Sequence, residues 1–174
     1  MCWHRTDRDP DLTSCADGRA FSATGVLEGV NAMQPGHDLV ALSEQYFIDC
    51  CGKRDNRSEC AGSVHRTFDW QIAQGGGGLP TEESYPYNGT VSKCRVGDAT
   101  ISAAHLANYT RVAESASGDQ SGILRKLESG GPACIGIDGG CIQGFKSGVI
   151  TSACARACVR ACDHGFTSPP ANRR

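Results

Sequence analysis

No stretch of this 174-residue chain approaches the roughly 18 consecutive apolar residues that a membrane-spanning helix needs. Charge of one sign is scarce too: 17 Lys and Arg stand against 19 Asp and Glu, a formal net charge of -2. That balance offers no basic footprint, which argues against nucleic acid or an anionic membrane surface as a partner. The first dozen residues are mostly polar and charged, so the basic-then-apolar signature of a secretory signal is not found in them. There is no internal repeat and no low-complexity tract beyond the four glycines Gly75–Gly78.

Cysteine, by contrast, is plentiful. Eleven in 174 residues is a density typical of an oxidising compartment, and the odd number leaves at least one thiol free or intermolecular. Three N-x-S/T sequons, at Asn56-Arg57-Ser58, Asn88-Gly89-Thr90 and Asn108-Tyr109-Thr110, point the same way.

Hydrophobic spacing gives the first structural expectations. From Ala20 the pattern is helical, with Ala23, Val26, Leu27 and Val30 on one stripe and Gln34-Pro35-Gly36 closing it. Leu42–Cys51 reads as a short amphipathic helix with Ser43 as N-cap. Ser63 caps a third helix carrying Val64, Phe68 and Ile72, closed by the glycine run. Leu79–Tyr87 is extended and turn-rich, and 94–110 is irregular with short strand-like pieces. Gln120–Glu128 predicts a helix, whereas Ala133–Asp138 and Phe145–Thr151 are strand candidates bounded by glycines. Helices first and strands later is an α+β order.

Seven segments, in order, resemble the papain family of cysteine peptidases: AFSATGVLEG (20–29), LSEQYFIDC (42–50), CAGS (60–63), ESYPYNG (83–89), GPACIGID (131–138), FKSGVIT (145–151) and CDHG (162–165). The resemblance implies a papain-like two-lobe fold. Residues 1–107 would form an N-terminal segment and a helical left lobe, and 108–174 a partial, incomplete β-rich right lobe. A cysteine at the N-terminus of the central helix is the family's nucleophile, and a histidine on the facing lobe pairs with it. The chemistry requires that placement, because a thiol with pKa near 8.5 is mostly unreactive at neutral pH. A helix N-terminus and an imidazolium both favour the thiolate. The imidazolium then protonates the leaving amine.

Carried over residue by residue, His164 matches the catalytic histidine. Gly62 and Ser63 match the last two residues of Cys-Asn-Gly-Gly, where backbone holds extended substrate, and Asp163 falls in the same substrate-binding cleft. Cys50 and Cys94 match a family disulfide. Cys60 matches half of a second bridge, with Cys15 as its partner when residues 12–23 align without a gap. No cofactor is implied. The expected partner is a peptide or protein substrate, the expected state a monomer, and the expected compartment secreted or lysosome-like.

Two readings of the nucleophile stand side by side. The family pattern is Cys-Trp-Ala-Phe-Ser, and counting back from Ala20-Phe21-Ser22 without a gap puts Arg19 at the tryptophan and Gly18 at the nucleophile. The oxyanion glutamine then falls on Leu12. Alternatively Cys2-Trp3 is the motif, separated from Ala20 by the polar stretch 4–19, of the kind an unspliced intron leaves. Spacing does not choose between them. His164 lies 146 residues beyond Gly18 and 162 beyond Cys2, and removing the sixteen intervening residues restores 146, within the roughly 130–150 expected. After Phe166 the chain runs TSPPANRR; the family's Asn-Ser-Trp-Gly is not among these residues, and Asn172, with no tryptophan after it, takes no orienting role.

Cys154, Cys158 and Cys162 recur every fourth residue, which would put three thiols on one helical face. Without a fourth ligand at metal spacing they read as loop cysteines and no metal is assigned. The pairing of Cys51, Cys134 and Cys141 is left open, along with that of these three. The expected function is therefore that of a papain-like peptidase with impaired or absent hydrolysis. The alternatives are a peptide-binding pseudoprotease and a fragment of a misassembled gene.

Overall fold

The computed structural model describes residues 18–51, 53–54, 57–58, 64–75, 78–95, 101–112, 121–134, 146–147 and 161–165. At 53–54, 57–58, 74–75, 101–103, 112 and 161–165 the description is of the backbone.

Helix α1 (Gly18–Ala32) starts two residues before the expected Ala20. Its predicted stripe is buried, with Ala23 and Leu27 fully enclosed and Val26 and Val30 nearly so. A 310-like exit follows: Gln34 N–H donates to Asn31 O at 3.0 Å, His37 N–H to Gln34 O at 3.1 Å, and Gly36 takes the left-handed φ of 80°. Helix α2 (Glu44–Cys50) has the predicted cap, the Ser43 hydroxyl oxygen accepting from Tyr46 N–H at 3.0 Å. The same hydroxyl donates to Tyr85 O at 2.5 Å, so one side chain both starts α2 and ties it to a segment 42 residues later. Strands β1 (Lys53–Arg54) and β2 (Arg57–Ser58) form a minimal antiparallel pair.

Helix α3 (Val64–Gly75) buries Thr67, Phe68 and Gln71. Gln71 Nε2 donates to Gly78 O at 2.5 Å, fixing the start of strand β3 (Gly78–Pro80). Strand β3 pairs antiparallel with β4 (Ile101–His105) across a bulge, and β5 (Asn108–Val112) pairs antiparallel with β6 (Ala161–Gly165). Helix α4 (Ser121–Gly130) lies between β5 and β6 in sequence and packs beside β6.

One hydrophobic cluster unites α1, α2 and α3 with β3 and β4: Leu27, Leu42, Tyr46, Phe47, Ile48, Phe68, Leu79, Tyr85 and Leu106 are its larger members. Residues 131–134 run close to α1. A Cβ at Gly29 would stand 2.9 Å from the Pro132 ring, so the absence of a side chain there permits the approach. Cys134 is buried at that contact and its thiol donates to Ser22 O at 3.5 Å.

Two expectations need correction. Cys162, read as a loop cysteine, lies within strand β6, where it is the register partner of Arg111. Lys146 and Ser147, expected inside a strand, are an exposed bend segment. Of the strand candidate 133–138, all but Ala133 and Cys134 fall outside the described residues, as do Cys154 and Cys158.

Beneath the turn-rich segment lies a polar network centred on buried Asp49. Its Oδ1 accepts from Gln45 Nε2 at 2.9 Å and from Ser92 N–H at 2.6 Å, and its Oδ2 from the Tyr85 hydroxyl at 2.8 Å. Arg95 closes the group, its guanidinium 4.5 Å above the Tyr85 ring centroid and its N–H donating to the Tyr85 oxygen at 3.3 Å. Burial, followed by the Asp49 interaction, pushes the Tyr85 phenol above its ordinary value.

The disulfide Cys50–Cys94, the pair implied by the resemblance, joins the end of α2 to this segment across a separation of 44 residues. Cys51 is also disulfide-bonded. Closing a loop of that length removes unfolded-state entropy amounting to about 4 kcal/mol at 25 °C. The double replacement of Cys50 and Cys94 by alanine should lower the unfolding free energy by an amount of that order, read as a lower denaturation midpoint in urea.

Candidate active site

Two elements carry the positions that the resemblance gives to the reacting pair: the N-terminus of α1, with Gly18, and strand β6, with His164. Gly18 is the first residue of α1, exposed, with open space around the position a Cβ would take. The first turn of a 15-residue helix presents unsatisfied N–H groups and the positive end of the peptide dipoles. A thiolate would be stabilised there. Arg19 and buried Ala20 follow, and then Phe21, half exposed, whose ring meets Tyr87 edge-on at 5.2 Å between centroids.

The opposite element is positioned by a ring and a carboxylate. In the β5–β6 ladder His164 is the register partner of Tyr109, and Asp163 that of Thr110. The Tyr109 hydroxyl donates to Asp69 Oδ1 on α3 at 2.6 Å, and its ring lies 5.4 Å from that of Phe68. The β5–β6 pair is thereby fastened to the helical layer one residue position from His164. Burial, then Asp69, raises the Tyr109 phenol above its ordinary value. The Arg111–Asp69 ion pair, 3.8 Å long and more than half exposed on both sides, adds little to this attachment. Sequence reading missed Tyr109 and Asp69; the only signal was an aromatic residue in a strand-like stretch.

Three carboxylates, of Glu28 on α1, Glu44 on α2 and Glu82, act on one another beside α1. The Thr24 hydroxyl lies 3.1 Å from Glu44 Oε1 and the same distance from Ala20 O. Glu28 Oε1 accepts from Leu42 N–H at 2.7 Å, and Glu82 Oε1 from Tyr87 N–H at 2.7 Å. Burial raises the Glu44 carboxyl above its ordinary value; bonds to its backbone and to Thr24 oppose the rise, and the charges of Glu82 and Glu28 add to it. A carboxyl whose pKa is raised by folding stabilises the fold most below its unfolded value, and loses that contribution as pH climbs through the folded value. Glu44→Gln keeps an acceptor for Thr24 and removes the titration. The variant should therefore lose part of the wild-type fall in stability between pH 4.5 and 7, measured as unfolding midpoints across that range.

Cys2, Cys15, Cys60, Gly62 and Ser63 lie outside the described residues, and Asp163 and His164 are described as strand backbone. Of the proposed site positions, the structure thus gives Gly18 at the head of α1, and His164 opposite Tyr109.

Comparison with known proteins bears on the family and the fold. The chain is 32% identical over 160 residues to cysteine proteinase B of Leishmania mexicana, covering 89% of this chain and 33% of that protein. It is 35% identical over 158 residues to cysteine proteinase 1 of Zea mays, covering 87% and 40% respectively. It therefore spans about a third to two fifths of the length of these curated relatives. Among solved structures it superposes on the Carica candamarcensis cysteine protease CMS1MS2, crystallised with E-64, with a TM-score of 0.67 at 22% identity. That match covers 85% of this chain and 67% of the other, and shows the papain-like fold. The family profile described as papain family cysteine protease matches residues 8–168, and the chain belongs to that family.

Proposed function

We propose that this chain keeps the papain-family arrangement for engaging a peptide between a helical lobe, within residues 1–107, and a β-rich lobe, within 108–174, but hydrolyses it little or not at all. The observation that carries the reading is the residue at the head of α1. Gly18 occupies the position that the ungapped family alignment gives to the nucleophile, and glycine offers no nucleophilic atom. His164, on β6 beside the Tyr109 anchor, is the proposed partner imidazole, with Gly62, Ser63 and Asp163 as substrate-contacting positions and Cys15–Cys60 as a second bridge.

Cys2 is the other source of a thiol, in front of Trp3. Sixteen residues separate Cys2-Trp3 from Ala20, and an insertion of that length would detach the thiol from the first turn of the helix, where the dipole acts. Misplacement of a reacting atom by about 1 Å already costs on the order of a hundredfold in rate. Incubation with a fluorogenic dipeptide amide, with and without an epoxide thiol trap, tests the reading. The expected outcome is no trap-sensitive release of fluorophore. Turnover abolished by the trap and by Cys2→Ala would instead make Cys2 the nucleophile.

A further inference from the structure

The turn at residues 88–90 is built for a modification independent of the cleft. Asn88-Gly89-Thr90 is a sequon, and its three residues are exposed. Asn88 Oδ1 accepts two hydrogen bonds from Thr90, one from N–H at 2.8 Å and one from the hydroxyl at 2.9 Å. Asn88 Nδ2 makes no hydrogen bond among the described residues. Gly89 supplies the φ of 73° that folds the threonine back over the asparagine amide.

The backbone of the turn is clamped from below by one buried side chain. Gln45 Oε1 accepts from Asn88 N–H at 3.0 Å, and Gln45 Nε2 donates to Thr90 O at 2.7 Å. Gln45 is fully buried on α2, so the main chain is held by bonds that do not involve the Asn88 side chain. A bulky group on Nδ2 would break none of them.

We propose that Asn88 is an N-glycan acceptor, the one of the two described sequons that local structure favours. The donor is an oligosaccharide carried on a lipid pyrophosphate. A bond forms between Asn88 Nδ2 and the first sugar's anomeric carbon, the bond from that carbon to the pyrophosphate oxygen breaks, and lipid pyrophosphate leaves. The transferring enzyme takes one proton from Nδ2, and no oxidation state changes. Two donors on Oδ1 hold the carboxamide in one orientation and leave Nδ2 without a bond among the described residues; the transferring enzyme supplies the groups that overcome the amide conjugation of Nδ2. The disulfides at Cys50–Cys94 and at Cys51 belong to the same oxidising compartments in which such transfer takes place.

The second described sequon is different. Asn108-Tyr109-Thr110 lies in strand β5, where Asn108 pairs with Gly165 and Thr110 with Asp163. An extended strand separates residues i and i+2 by about 7 Å, too far for the asparagine oxygen to take both threonine donors. The two Thr90–Asn88 bonds are local to three residues, so the turn that makes them needs only local preference and does not wait for the Gln45 clamp. An aromatic centre followed by a β-branched residue favours strand, whereas Asn-Gly favours the turn. The sequon at Asn56 has its asparagine outside the described residues.

The test is translation of the full chain, fused behind a cleavable signal peptide, into microsomes, with gel mobility read before and after endoglycosidase H on the protease-protected fraction. Asn88→Gln and Thr90→Ala should each remove one glycan-sized step, and Thr90→Ser should retain it. Asn108→Gln should leave the ladder unchanged. Mobility reads the transfer itself and does not depend on the yield of folded variant. A translocated wild-type chain with no endoglycosidase-sensitive step would overturn the proposal, and so would an Asn88→Gln chain that migrates with the wild type.

Discussion

Gly18→Cys is expected to acquire a thiol that iodoacetamide alkylates well below the pH at which an ordinary cysteine reacts. The position is exposed, has space for the new side chain, and stands at the start of a 15-residue helix. A charge at a helix terminus is stabilised by roughly 0.3–1 kcal/mol when exposed and by up to about 2 when partly buried. The helix alone thus lowers the thiol from about 8.5 to about 7–8.3. An imidazolium across a cleft lowers it by several units more, as in the His-paired cysteine of papain. The pH profile of alkylation therefore separates three situations. A half-maximum near 8.5 would mean that residue 18 is not at an active helix terminus, contrary to the reading. A midpoint near 7–8 would assign the effect to the helix only. A midpoint near 4 that returns to 7–8 in Gly18→Cys/His164→Ala would identify His164 as the facing group and the family pair as reconstituted. Peptide hydrolysis should rise less than alkylation does, because the ungapped alignment puts Leu12 where the family has its oxyanion glutamine, and a missing oxyanion donor costs about 100- to 1000-fold.

The features that sequence announced were the local ones. Ser43 before Glu44 and an apolar run marks a helix start because a hydroxyl can satisfy an N–H two or three residues on, and it does so with Tyr46. The stripe from Ala23 to Val30 was legible because burial follows the helix period, and the cluster around Leu27 and Phe47 confirms it. The Cys50–Cys94 bridge was readable only through the resemblance, since spacing alone leaves many pairings open. Cys162 was read as a loop residue because nothing local announces a strand whose register is set by β5, some fifty residues earlier. The apolar face of α4 shows the limit of periodicity in another way. Leu124 and Leu127 recur at helical spacing, yet they are about half exposed. A pattern predicts which face is apolar, not which neighbour covers it. Tyr109 and Asp69 were not legible at all. Their bond joins residues forty positions apart, and no motif links the two.

The same holds for Asp49, whose removal should have the largest effect on stability of any single change considered. In sequence it is one acidic residue in IDCC. In the fold it is 6% exposed and accepts three hydrogen bonds, from the Gln45 amide, the Ser92 N–H and the Tyr85 hydroxyl. Asp49→Ala strands those three donors beneath the segment that carries Cys94. Each buried donor left without an acceptor costs about 1–3 kcal/mol. The sum, about 3–6 kcal/mol after partial relaxation, is comparable with the whole stability of many domains. For a chain of this size it corresponds to a fall in Tm of roughly 10–20 °C. Asp49→Asn keeps one acceptor oxygen for two or three donors and should fall between that variant and wild type. Asp69→Ala is the control. It also removes a carboxylate that a tyrosine hydroxyl bonds, but Asp69 is more than half exposed, and water can replace it at a cost of about 1 kcal/mol or less. Thermal unfolding followed by near-ultraviolet circular dichroism, which reports the packing of Tyr85 and Tyr46, gives all three values in one experiment. Equal losses for the Asp49 and Asp69 variants would mean that Asp49 is hydrated in solution and that the buried network does not hold the 85–95 segment to α2.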